Sequence, residues 1–158
     1  NTLDAKTLSI FKLTPQEKLL IITVGNTLRG DDAAGPHIAK NIVSTNDRLA
    51  VLDVGEKPEN ALDQAVALKP TRIIIIDAAD FGGHPGEIKE IPIDQIPANA
   101  VSTHLFPLPI IAKLLEKDTA AKVVFLGIQP KNLTLGSTLS PEVQSAAKEI
   151  IDLCTNYI

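Results

Sequence analysis

Residues 72–80 read R-I-I-I-I-D-A-A-D, four isoleucines in succession followed by an aspartate. A strand with one wet face alternates apolar and polar side chains, so an unbroken β-branched run calls for cover on both faces, as in a parallel sheet between helices. Outward from this stretch, strand character recurs at Lys18 to Val24, Leu49 to Val54, Glu87 to Ile93 and Lys122 to Ile128. Segments of helical period fall between them, at Pro36 to Val43, Pro58 to Leu68, Leu108 to Lys117 and Pro141 to about Thr155. Pro36 and Pro58 suit a first helical turn, and Ser140-Pro141-Glu142 supplies an N-cap, a proline at N1 and an early acid. Glu87 to Ile91 alternates and follows the turn His84-Pro85-Gly86, which places it antiparallel or at an edge. The expected fold is α/β: a three-layer α/β/α sandwich around a mostly parallel, five-stranded twisted sheet with one antiparallel or edge strand.

A chain of 158 residues, 44% hydrophobic, holds one core and is too short for two ordinary domains. Fifteen Lys and Arg against 19 Asp and Glu leave a net charge of -4 with no basic stripe, which argues against nucleic acid as a partner. The longest apolar runs, Leu19 to Ile22 and Ile73 to Ile76, fall far short of the roughly 20 residues a membrane helix needs. One cysteine, Cys154, cannot close an internal disulfide, and a reducing cytoplasm is the expected setting. Cys154 itself reads as helix packing.

Working groups of an open α/β sheet gather at the carboxyl ends of its strands. Those ends carry Gly25-Asn26 leading to Asp31-Asp32, then Asp53-Val54-Gly55, Asp77-Ala78-Ala79-Asp80, and Gly127-Ile128-Gln129-Pro130, while Ser102-Thr103-His104 precedes the third helix. Carboxylate oxygen with imidazole nitrogen is the ligand set of a borderline divalent ion such as nickel, zinc or iron. A metal-facing site is therefore one reading. Plainer readings stand beside it. Asp32 near a helix start complements the helix dipole, and His104 alone reads as a loop or cap residue. Asp77 is harder to explain structurally, since an ionised carboxylate beside a buried strand is costly without partners. His37, five residues beyond Asp32, has a poor helical spacing for a shared ligand, and His84 sits in a Pro-Gly turn. Asp31, Asp53 and Asp80 remain spare candidates.

Other chemistries fail on sequence. The turn V-G-N-T-L-R-G at 24–30 lacks both the G-x-G-x-x-G spacing and a G-K-[ST] ending, and two acids at a helix start repel a pyrophosphate. Neither G-x-S-x-G nor H-E-x-x-H occurs.

Five segments together resemble a known family. G-N-T-L-R-G-D-D at 25–32, D-V-G with P-E-N between 53 and 60, I-I-D-A-A-D with F-G-G-x-P-G-E from 75 to 87, S-T-H at 102–104 and F-L-G-I-Q-P at 125–130 are similar, in order, to the nickel-iron hydrogenase maturation endopeptidases. The P-E-N and G-I-Q-P pieces most resemble the branch that processes formate-hydrogenlyase-type (group 4) large subunits. The likeness covers residues 18 to about 155, leaving 1–17 as an N-terminal extension to a single peptidase domain over 18–158. It implies an endopeptidase that removes the C-terminal extension of a hydrogenase large-subunit precursor after nickel insertion. It also implies that Asp32, Asp77 and His104 are catalytic and face the nickel, an ion carried by the substrate and not permanently bound. Asp31 would then be a neighbour through a cap or hydrogen bonds. A monomer without membrane insertion is implied as well. Ala33 departs from the glycine the family commonly shows there, which narrows the backbone geometry open to the turn. Two rivals stay open: a hydrolase with its own resident metal acting on another substrate, and a metal-sensing chaperone that binds the immature subunit without cutting it.

Overall fold

The computed structural model describes residues 3–44, 46–97 and 107–157. Among them, five strands, β1 (Leu19–Val24), β2 (Leu49–Gly55), β3 (Arg72–Ala78), β4 (Ile88–Ile91) and β5 (Lys122–Ile128), form one sheet in the order β2-β1-β3-β5-β4. All neighbours are parallel except β4, which runs antiparallel to β5. Helices α2 (Ala34–Asn41) and α5 (Pro141–Tyr157) cover one face, and α3 (Ala61–Leu68) and α4 (Leu108–Thr119) cover the other.

The isoleucine run shows why three layers form. Ile74 and Ile76 pack with Ile38 of α2 and Val143, Ala147 and Ile150 of α5, while Ile73 and Ile75 pack with Ala65 of α3 and Ile111 and Leu115 of α4. Each of the four is at most 1% exposed. Burying an isoleucine contributes about 1.5–3 kcal/mol, so β3 alone anchors both layers.

The strand and helix pattern follows the sequence closely, with local departures. The expected strand over Glu87 to Ile93 pairs only through Ile88–Ile91, because Pro92 has no N–H to continue the ladder and Ile93–Gln95 closes a 3₁₀ turn. The helix expected from Pro58 opens as a 3₁₀ turn, Pro58–Asn60, before α3 proper. Helix α2 begins at Ala34, ahead of Pro36.

A short helix, α1 (Ala5–Ser9), has no counterpart in the sequence reading; Asp4 caps it by accepting the Thr7 N–H at 2.7 Å. Ile10 and Phe11 behind it bury against the α5 side of the core, with Leu153 and Cys154. Arg72 fastens this segment. Its guanidinium donates to the carbonyls of Ile10 and Lys12 at 2.8 and 2.9 Å and pairs with Glu17 at 2.8 Å. No helix among the described residues is long and apolar enough to cross a membrane.

Strand β1 connects through α2 to β2 on one side and stands beside β3 on the other. The crossover direction therefore reverses between β1 and β3, and the crevice beyond their carboxyl ends is where such sheets bind ligands.

Candidate active site

The chain leaves β1 and doubles back at once. Gly25 donates its N–H to Gly55 O at 2.8 Å, and a Cβ at Gly25 would collide with the carbonyl oxygen of Asp32. Only glycine lets the backbone close on itself so tightly. Gly30 takes a φ of 52° and leads into the 3₁₀ turn Gly30–Ala33, which carries both acids. Gly35 then lets α2 rest directly on the strand ends, since a Cβ there would stand 2.5 Å from Val24 O and 3.2 Å from Ile76 O. Ala33 has φ -79°, comfortable for any L residue, so this turn needs no glycine at that position.

Asp32 is fully buried, and its Oδ2 accepts the Asn26 N–H at 2.9 Å, bridging the turn. Asp77 stands near the end of β3, one residue past the Thr23–Ile76 pair, and is 1% exposed. Its parallel neighbour on β5 is Gly127, where a side chain would meet Ile91 Cδ1 at 2.9 Å and Ala79 Cβ at 3.2 Å. One carboxylate thus lies in the turn that follows β1 and the other near the end of β3, the two strands that flank the switch point. His104, with Ser102 and Thr103, lies outside the described residues. Among the described residues, no group of three or more His, Cys, Asp or Glu is arranged to hold a metal ion.

Asp31 does different work. Its Oδ1 accepts the Ser140 N–H at 2.7 Å, and its Oδ2 accepts the Lys131 N–H at 2.8 Å, the Asn132 N–H at 2.9 Å and the Ser140 hydroxyl at 2.9 Å. A fully buried carboxylate with donors on both oxygens is a clamp. It joins the turn to the loop after β5 and to the start of α5. Ser140 also fulfils the cap expected of it, its Oγ accepting the Val143 N–H at 3.4 Å.

The remaining candidates are peripheral. Asp53 is exposed and accepts from Thr23 Oγ1 and Gly55 N, both at 3.2 Å. Asp80 is exposed and is held below the ordinary carboxylate range by the Gln129 amide, with help from the Gly82 N–H. His84 is exposed, and His37 is half-buried on α2. Gln129 has a larger part than its place at a strand end suggested. Its Oε1 accepts the N–H groups of Phe81 and Gly83 at 2.9 and 3.0 Å, and its Nε2 donates to Asp80 at 3.0 Å, so one amide fixes the whole loop beyond Asp77. Gln in the strand-end G-I-Q-P was the available signal; its partners 46 to 49 residues away were not visible.

Fold and site define an open α/β sheet protein with two buried carboxylates beside its switch point. Residues 37–157 match the family described as hydrogenase maturation protease. The hydrogenase 3 maturation protease of Escherichia coli K12 is 35% identical over 133 residues, which covers 83% of this chain and 85% of that one. The crystal structure of a nickel-iron hydrogenase maturation protease from Thermococcus kodakarensis superposes with a TM-score of 0.83 at 30% identity, covering 97% of this chain and 98% of that one. The solution structure of an endopeptidase from Escherichia coli gives a TM-score of 0.75 at 34% identity, over 85% and 87% of the two chains. The chain belongs to the hydrogenase maturation protease family, and its activity is that of a peptidase.

Proposed function

We propose that this peptidase removes the C-terminal extension of a nickel-iron hydrogenase large-subunit precursor, and that it does so once the precursor carries nickel. The observation that carries the reading is that Asp32, in the turn that follows β1, and Asp77, near the end of β3, are both buried beside the switch point. Family membership supplies the substrate class. With His104 as the third group, two carboxylates and an imidazole face the ion that the precursor brings. Docking on these side chains fixes the scissile peptide beside them, so the hydrolysis proceeds from a held geometry in place of a diffusional encounter. A water at that point adds to the peptide carbonyl, the C–N bond breaks and a proton from the water passes to the departing amine, and the buried setting strengthens every charge interaction made there.

The donor set also predicts the nickel requirement. Two carboxylates and one imidazole, without thiolate, hold a free ion weakly and leave positions open for the precursor's own ligands. Affinity and specificity for the loaded precursor then arise in one step. The enzyme acts as a cytoplasmic monomer in this reading.

The test is incubation of chelator-treated protein with nickel-loaded and nickel-free precursor, read by mass spectrometry. Cleavage of the loaded form alone is the expected result. Protein that stays inactive until an ion is restored to it would replace this reading with a resident-metal hydrolase. Asp77→Asn and His104→Ala should each abolish processing with an unchanged circular-dichroism spectrum; normal cleavage by either removes that residue from the site.

A further inference from the structure

The loop after β1 and the loop after β5 meet at the same end of the sheet as Asp32. Gly136 donates its N–H to Leu28 O at 2.7 Å, and Asp31 donates its N–H to Asn132 O at 2.8 Å. Leu28 and Leu135 lie on these paired loops, each 64% exposed. Isolated exposed leucines are ordinary on a protein surface. These two are carried by loops bonded to one another and pinned below by the buried Asp31 carboxylate, so an apolar partner meets a surface that is already ordered.

Beside them, between the two loops and helices α2 and α5, lies a solvent-open cavity of about 430 Å³. Its polar wall is made by Thr27, His37, Lys40, Ser137, Thr138 and Gln144. Hydroxyls, an amide, an imidazole and an ammonium line it, and among the described residues no carboxylate does. In a chain of net charge -4 an acid-free wall holding a lysine is complementary to an anion. Gly30 and Ala33 of the Asp32-bearing turn form part of the same wall, so an occupant reaches the flank of the site.

We propose that this two-loop rim docks the precursor chain next to its cleavage point: Leu28 and Leu135 receive an apolar side chain, and the cavity receives a carboxylate beside it. The inference rests on the peptidase reading and names the chemistry of the segment that reading requires. The carboxylate is either an acidic side chain of the precursor or the free C-terminus of its extension.

The experiment compares Leu28→Asp, Leu135→Asp and Lys40→Glu with the unmodified protein on nickel-loaded precursor, fitting kcat and KM separately. All three positions are exposed, so the fold does not depend on them. The expected result is a KM raised about tenfold in each variant with kcat within twofold, since tenfold corresponds to the loss of one ordinary contact worth about 1.4 kcal/mol. Competition with synthetic extension peptides separates the two carboxylates. Weaker inhibition on C-terminal amidation assigns the terminus, and weaker inhibition on Asp or Glu to amide exchange assigns a side chain; no effect of either change overturns the anion assignment. Unmodified protein that cleaves while all three variants keep its KM overturns the docking inference and leaves the peptidase reading intact. Unmodified protein that neither cleaves nor binds any precursor overturns both.

Discussion

Replacing Asp31 with asparagine should destabilise the protein severely without removing a group from the proposed catalytic set. The side chain keeps its shape but exchanges one accepting oxygen for an NH₂. If the remaining oxygen stays at the Oδ2 position it still faces Lys131 N, Asn132 N and Ser140 Oγ, at 2.8, 2.9 and 2.9 Å. The NH₂ then confronts the Ser140 N–H, whose partner stood 2.7 Å away, donor against donor. The reverse orientation is worse, because the NH₂ then opposes two N–H groups. A hydrogen bond to a charged group contributes about 1.5–3 kcal/mol, and stranding a buried N–H costs about 1–3 kcal/mol. Loss of one such bond, with weakening of the other three as the charge disappears, amounts to about 2–4 kcal/mol. That is a large share of the roughly 5–15 kcal/mol that holds a domain together. Urea unfolding followed by circular dichroism should show a lower midpoint at unchanged slope, and the melting temperature should fall by about 5–15 °C. Well below that temperature the variant should still process precursor, because the oxygens of Asp31 are turned toward residues 131–140. A stability change under about 0.5 kcal/mol would refute the clamp, since that is the scatter of ordinary surface substitutions.

Gly35→Ala should cost about 1–3 kcal/mol, as overpacking does, because the new Cβ would stand 2.5 Å from Val24 O and push α2 off the strand ends; an unchanged melting temperature would contradict the packing described. Asp80 should titrate below the ordinary carboxylate value of 3.8, and Gln129→Leu should move it upward, both read by carbon NMR; an unmoved titration would show that the amide is not the cause. A carboxyl group depressed in the folded state adds stability above its unfolded pKa and loses it as pH falls through the folded value, so the Asp80 contribution should fade only in acid below that ordinary range. Burial pushes the Cys154 thiol up to about 12, so at pH 8 it is protonated and shielded. Iodoacetamide should leave native protein unlabelled and modify it in urea, whereas rapid native labelling would place the thiol at the surface.

The sheet was legible because its signals are local. Four isoleucines without alternation specify a strand covered twice, found as β3 at Arg72–Ala78, and β5 falls at Lys122–Ile128 as read. The antiparallel β4 was legible from its alternation and its preceding Pro-Gly turn. Helix α1 was not, since five residues show no period and its place depends on Arg72, more than sixty residues away. Helix α2 starts before Pro36 because Gly35 gains close packing on Val24 and Ile76, a tertiary effect that outweighs glycine's poor helix propensity. At the strand ends the sequence offered Asp32 and Asp77 together with Asp31, Asp53 and Asp80, and the choice of Asp32, Asp77 and His104 among them came from the family resemblance. The division of labour within Asp31-Asp32 was open to sequence only as an expectation, because the donors that occupy Asp31 come from residues 131, 132 and 140. The same is true of Gln129, whose amide reads as an ordinary strand-end polar group until the loop at 80–83 folds onto it.

The Asp31 clamp has a consequence for the order in which a working molecule comes into being. Its bonds join residues 100 to 109 positions apart in the chain. At a synthesis rate of about 5–20 residues per second, the turn bearing Asp32 leaves the ribosome roughly 5–20 s before the segment that locks it. Through that interval β1, β2 and β3 can pair while the turn has three N–H groups and a hydroxyl still to acquire from chain not yet made. The turn is thus synthesised well ahead of residues 131–140, and its set of hydrogen bonds is complete only once Ser140 has arrived.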